Sequence, residues 1–171
     1  MKISIVGAGM VGSSAAFALV LRRIVSEVVL IDHDADLARA QAEDILHATP
    51  VSSPVKVLSG PMESISGSSI VILACGVSQR PGETRLDLLK RNEVIFIGVS
   101  AAVGRHAPDA IVLVASNPVD IMTKIVAEHG RFDPSRVIGS GTILDTARFR
   151  VLIGETFGVS AQSVHGSVIG E

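Results

Sequence analysis

The sequence has no tryptophan or tyrosine, only five phenylalanines and a single cysteine, Cys75, among its 171 residues. So few aromatic rings offer no platform on which nucleic-acid bases could stack. One cysteine cannot close an internal disulfide, which suits a reducing, cytoplasmic setting. Charge is sparse too: 19% of residues are charged and the net charge is −2. No basic excess points to nucleic acid, and no like-charge run forms a tail. Repeats and low-complexity segments are missing. His33, His47, His106 and His129 lack metal-ligand spacing, so solvated or packing roles are expected and no metal.

One long uncharged stretch does occur. Ile3–Leu21 runs for 19 residues between Lys2 and the pair Arg22–Arg23. By length it could span a membrane or serve as a signal sequence. Its centre reads "GAGMVGSS", and three glycines with two serines favour a turn over an apolar helix. No membrane association is expected.

Apolar material is plentiful, at 47% of residues with a mean hydropathy of +0.49. That supports one domain plus a short extension. Short Ile/Val-rich runs stand at 2–7, 27–32, 55–58, 69–74, 110–115 and 136–139. Most lack polar alternation, as strands covered on both faces do. Helical patterns fill the intervals at 11–22, 35–47, 84–103, 119–129 and 142–157. In the second, Ala38, Ala42 and Ile45 mark one stripe; in the third, Leu89, Phe96 and Val103 recur every seven residues. Strand alternating with helix predicts an α/β fold, a doubly wound parallel sheet of six strands in the order 3-2-1-4-5-6. A dinucleotide-binding domain is expected over 1–140, with a second domain beginning at 141–171. The stretch 166–170 also reads as a strand.

Ligands of such sheets sit beyond the carboxyl ends of the strands. There "IVGAGMVG" places Gly7, Gly9 and Gly12 in G-x-G-x-x-G spacing, after a strand and opening a helix. Gly7 permits the tight turn, Gly9 lets backbone approach a pyrophosphate, and Gly12 lets the helix close on the sheet. The helix N-terminus presents free N–H groups to phosphate. Asp32 ends the next strand, 20 residues after Gly12, where a carboxylate accepts from a ribose. Its charge would repel a 2′-phosphate, so NAD is expected rather than NADP. The bland alternative is a glycine turn with a strand-end acid, and Asp34 is the better helix cap.

Three later stretches carry polar residues in unusual places. Thr84 and Asp87 resemble a capping box, which puts Arg85 in a first helical turn against the helix dipole. It is either a solvated arginine or one delivered by a loop to a substrate. Asn117, in "ASNPVD", either precedes a helix start or offers an amide at the sheet's carboxyl edge. In "GTILDTARFRVLIG", Asp145 and Arg148 stand three apart on a helix. Arg148 shares a stripe with Leu144 and Val151, and Asp145 shares one with Phe149 and Leu152. Both charges are therefore expected on a buried apolar arc, each in need of a partner. Asp145 could orient an imidazole, and Arg148 could fork onto a carboxylate.

The stretches "GAGMVG", "AEDILHA", "GVSQRPGETRLDLLKRN", "SNPVD", "GSGTILDTARFR" and "SVHGSVIGE" together resemble the NAD-dependent L-lactate/L-malate dehydrogenases. Within them the chain is most similar to the bacterial L-lactate dehydrogenase branch. The resemblance implies cofactor contacts at Gly7, Gly9, Met10, Val11, Gly12, Asp32, Gly76, Ser116 and Asn117. It implies that Arg148 grips a substrate carboxylate, Arg85 polarises the ketone, Asn117 holds the substrate oxygen and Asp145 fixes a catalytic histidine. Gln79, six residues before Arg85, matches the substrate reader; malate enzymes carry arginine there, so pyruvate/lactate is implied over oxaloacetate/malate. Arg150 and His165 match a fructose 1,6-bisphosphate site found between subunits, though an exposed arginine and a loop histidine describe them equally. Cys75 matches a small-residue position beside the cofactor. A homo-oligomer, dimer or tetramer, assembled through the helix at 35–47 is also implied. In the family the residue after "IGE" is the catalytic histidine, and His165 does not substitute for it. The chain is thus expected to be the cofactor half, inactive alone; a stand-alone NAD-binding module is the other reading.

Overall fold

The computed structural model describes residues 1–52, 54–78 and 80–170; the Arg85 side chain is also outside that description. Gln79, the expected substrate reader, and Glu171 therefore lie outside the described residues. The chain forms two compact units, Met1–Gly139 and Ser140–Glu171.

The first unit alternates β1 (Lys2–Val6), α1 (Met10–Leu21), β2 (Glu27–Ile31), α2 (Ala35–Leu46), β3 (Lys56–Ser59), β4 (Ile70–Leu73), α3 (Arg85–His106), β5 (Ile111–Val114), α4 (Val119–His129) and β6 (Val137–Gly139). The strands form one sheet in the order β3-β2-β1-β4-β5-β6. Every pairing is parallel, with Ile5 opposite both Leu30 and Ile72. The segment Ile3–Leu21 is thus strand, turn and helix, and no described helix is long and apolar enough to cross a membrane.

Strand residues alternate between two cores because successive Cβ atoms point to opposite faces. Ile3, Ile5, Val28 and Leu30 pack with Ala16 and Val20 of α1 and with Ala38, Ala42 and Ile45 of α2. Val6, Val29, Ile31, Val71 and Val112 pack with Phe96 and Val103 of α3 and with Met122 and Val126 of α4. Continuous Ile/Val runs are what a sheet covered on both faces requires. Two of the helices carry side-chain caps. Asp34 caps α2 by accepting from the amides of Asp36 and Leu37, both at 3.1 Å. Thr84 caps α3 by accepting from the Asp87 amide at 3.2 Å. α3 runs three residues past the expected end, to His106, where Arg105 and His106 complement the negative end of the helix dipole.

The second unit holds α5 (Ile143–Phe157), closed by Gly158 in the left-handed conformation at φ 66°. No strand forms at 166–170, contrary to the expectation from composition. That segment lies along α5 instead: the Val168 amide donates to Thr146 Oγ1 at 3.0 Å. Its backbone is satisfied by a helix side chain, not by a neighbouring strand.

Phe96 heads the fully buried side chains by size, at 0% exposure. Truncation to alanine leaves a cavity that the close-packed α3–sheet layer cannot refill. Phe96→Ala is expected to lower unfolding stability by about 3–5 kcal/mol, measured by urea denaturation.

Candidate functional site

Four strands end level with one another. The Gly7 amide donates to Ile31 O at 2.7 Å, the Ala74 amide to Val6 O at 2.8 Å, and the Ala115 amide to Leu73 O at 2.9 Å. Strand order reverses between β1 and β4, so the loops after them diverge and leave a crevice at this edge.

The three glycines of the first turn do different things. Gly7 has φ +105°, and a Cβ there would lie 2.5 Å from the Cys75 amide nitrogen. At Gly12 a Cβ would stand 1.8 Å from the Gly7 carbonyl oxygen, so α1 rests directly on the turn. At Gly9 a Cβ would meet nothing within 4 Å. The outer glycines are packed against protein and the middle one faces open space. α1 has no side-chain cap at Gly9 and no acid in its first turn. Its positive end is therefore unneutralised by protein, and the backbone around it leaves room for an anion. The Met10 and Val11 side chains point away from the core, at 89% and 59% exposure.

Asp32 closes the crevice from the β2 side. Its Oδ2 accepts from the Ala8 amide at 2.7 Å, and its Oδ1 accepts from the Asp34 amide at 3.0 Å. His33 Nδ1 also lies 2.7 Å from Oδ1. Burial raises the carboxyl pKa, but the Asp34 and Ala8 amides, with His33 beside them, outweigh it and hold the value below the ordinary range. The group stays ionised and ties the glycine turn to the start of α2.

A cleft of about 660 Å³ opens here, with Gly7, Gly9, Asp32 and Gly76 in its wall and Leu37, Met62 and Val99 making it apolar. That is the size and chemistry of a small-molecule site. A second hollow of about 350 Å³ adjoins it, lined by Val11, Gly76, Asn92, Ser116 and Asn117. Cys75 and Gly76 border both. Ser116 faces the β4 end, its hydroxyl donating to Cys75 O at 2.5 Å. Met10 and Gly12, also expected at the cofactor, shape the turn without lining either hollow.

Asn92 was not among the expected site residues. It is buried on α3, and its Oδ1 accepts from the Val77 amide at 2.9 Å. A Cβ on Gly76, at φ +151°, would approach that oxygen to 3.0 Å. Asn92 thus pins the loop that leaves β4. The sequence signal was there: an amide interrupts the stripe of Leu89 and Phe96. Further along the loop, Glu83 accepts from the Arg80 amide at 2.8 Å and from Arg91 at 2.6 Å, bracing the turn before Arg85. Arg85 itself is the first residue of α3.

In the second unit, Arg148 donates to Asp145 at 3.1 Å, as the spacing suggested. The expected burial is not found: the Asp145 side chain is 54% exposed and that of Arg148 is 65% exposed. Leu144, Phe149, Val151 and Leu152 are exposed as well, so the apolar arc itself lacks cover. As an exposed i,i+3 pair it contributes about 0–1 kcal/mol. Arg150 donates to Gln162 O at 3.3 Å while its Nε is buried without a partner; His165 is exposed.

A parallel sheet in this order, with a glycine turn and an acid ending the second strand, defines a dinucleotide-binding fold. Residues 1–139 match the lactate/malate dehydrogenase NAD binding domain, and the chain belongs to the lactate/malate dehydrogenase family. It is 54% identical to the L-lactate dehydrogenase of Thermus aquaticus over 171 residues, covering 100% of this chain and 55% of that protein. Among solved structures it is similar to the minor L-lactate dehydrogenase of Enterococcus mundtii, with a TM-score of 0.96 and 42% identity. That match covers 99% of this chain and 55% of the other. The malate dehydrogenase of Picrophilus torridus gives a TM-score of 0.91 at 30% identity, covering 94% and 52%. The chain thus spans about half the length of the curated relatives it matches.

Two predictions follow from this geometry. Gly9→Ala should fold normally, because its β-carbon has space, yet lose NADH affinity. Gly12→Ala should lose about 1–3 kcal/mol or more of stability, because backbone must move to admit the β-carbon. Thermal melts with NADH titrations separate the two outcomes. The second prediction concerns Cys75, whose thiol pKa is pushed up to about 11 by burial, with the Asp32 charge adding. Its thiolate is scarce at neutral pH. Iodoacetamide should label native protein far more slowly at pH 8 than a free thiol, with the rate climbing only as pH approaches that value.

Proposed function

We propose that the chain is the cofactor-holding part of an NAD-dependent L-lactate dehydrogenase, interconverting pyruvate and L-lactate. The observation that carries this reading is the open space at Gly9 in front of an uncapped helix N-terminus, with the ionised Asp32 across the crevice. Backbone amides of α1 hold the pyrophosphate. Asp32 takes the adenosine ribose and repels a 2′-phosphate, which favours NAD over NADP. The apolar wall at Leu37, Met62 and Val99 receives the adenine. Bound NADH supplies the hydride.

The remaining roles rest on similarity to the family. Asn117 holds the substrate oxygen, and Arg85 arrives with its loop to polarise the ketone as water is expelled. Arg148 forks onto the substrate carboxylate, and Asp145 orients the catalytic histidine of the complete enzyme and stabilises its protonated form. Such use needs Asp145 and Arg148 covered, which makes charge stabilisation stronger than in water. Gln79, being neutral, leaves no partner for a second carboxylate. The Arg150 guanidinium and the His165 ring offer donors for fructose 1,6-bisphosphate, and the orphaned Arg150 Nε supports an anion there. A cytoplasmic homo-oligomer, dimer or tetramer, completes the reading.

Malate dehydrogenase is the second reading, favoured by the fold likeness to the Picrophilus enzyme. NADH oxidation by the full-length protein, with pyruvate and with oxaloacetate, decides between them. Pyruvate should be preferred by about a hundredfold or more in kcat/KM, since an unpartnered buried carboxylate is worth several kcal/mol. A preference for oxaloacetate would overturn the assignment drawn from Gln79. Absence of both reactions in full-length protein that still binds NADH would favour a non-catalytic module.

A further inference from the structure

His33 follows the ribose-facing acid directly, and its ring contacts the acid it follows. A carboxylate offers about four lone-pair positions, two on each oxygen. On Asp32, Oδ2 is used once, by the Ala8 amide at 2.7 Å. Oδ1 is used twice, by the Asp34 amide at 3.0 Å and by His33 Nδ1 at 2.7 Å. A ribose diol gripped with one hydroxyl on each oxygen needs a free position on both. Oδ2 has one; Oδ1 has none.

One of the two donors on Oδ1 must then yield. The Ala8 amide belongs to the glycine turn and the Asp34 amide to the start of α2, so both are fixed by the fold. The His33 side chain is 96% exposed and stands on the rim of the 660 Å³ cleft. Among the described residues its polar partner is Asp32 alone. It is the donor free to leave.

We infer that His33 competes with the adenosine ribose for Asp32 Oδ1 and thereby sets how tightly the dinucleotide is held. The inference rests on the NAD reading above and deepens it. His33 acts through Asp32 and is a positioning residue: when its Nδ1–H is withdrawn, the carboxylate can close on the diol. The His33 ring is solvent-exposed although Asp32 is not, so the competition is modest, and its removal is a gain of function.

The test is calorimetric titration of the full-length protein and its His33→Ala variant with NADH and with the analogue lacking the adenosine 2′-hydroxyl. The variant should bind NADH roughly two- to fivefold tighter, the range an exposed pair allows. Its affinity for the 2′-deoxy analogue should change less, because that ligand makes only one demand on the carboxylate. Unchanged or weaker NADH binding in the variant would overturn the competition, as would equal tightening toward both ligands. Wild-type protein that binds neither dinucleotide would overturn the cofactor reading itself, and the inference with it.

Discussion

Between residue 12 and the Gly7 carbonyl there is room for a hydrogen atom and nothing larger, since a β-carbon would stand 1.8 Å from the oxygen. That contact seats α1 on the sheet. From it the buried line of Gly12, Ala16 and Val20 runs along the strands. It also brings the helix N-terminus to the end of β1, where free amides can face a ligand. Asp32 then bonds the Ala8 amide inside the same turn. The cradle is therefore a consequence of packing: the glycine that admits the helix also aims it.

The sheet was legible because its signal is parity. Val28 and Leu30 serve one core and Val29 and Ile31 the other, so an unbroken apolar run is the only pattern that satisfies both. β3 shows the limit, with Lys56, Leu58 and Ser59 exposed at the sheet edge. The stretch at 166–170 has the same composition as a strand yet is not one. Composition describes how well a segment would pair; it carries no information about whether a neighbouring strand exists. Thr146, an ordinary helix residue, supplies the hydrogen bond that a strand would have supplied.

Site residues divide in the same way. Gly7, Gly9, Gly12 and Asp32 are close in sequence, and each acts through backbone geometry or a bond made nearby. Asn92 acts on Val77, fifteen residues away across a loop, so only its intrusion into an apolar stripe announced it. The helices α3 and α5 make the contrast sharper. Phe96 and Val103 lie on a covered stripe, whereas Leu144, Phe149, Val151 and Leu152 lie on an uncovered one. Periodicity identifies the apolar arc in both cases. Whether Asp145 and Arg148 pay a desolvation penalty depends on what stands opposite, which the period does not encode.

Asp32 joins the two halves of this logic. Burial opposes its charge, while the Asp34 and Ala8 amides and His33 favour it more strongly, so its pKa is lowered. A depressed folded-state pKa contributes stability above the unfolded value and loses it only as pH falls through the folded one. The carboxylate proposed to tell a ribose from a ribose phosphate is thus kept ionised by the bonds that close the glycine turn. On the proposed reading, selectivity and local stability have one source. A variant that removed the carboxylate would also release the partly buried Ala8 amide, at a cost of about 1–3 kcal/mol, and the exposed Asp34 amide, which water can satisfy. Replacing the acid therefore loosens the turn unless a second change rebuilds it.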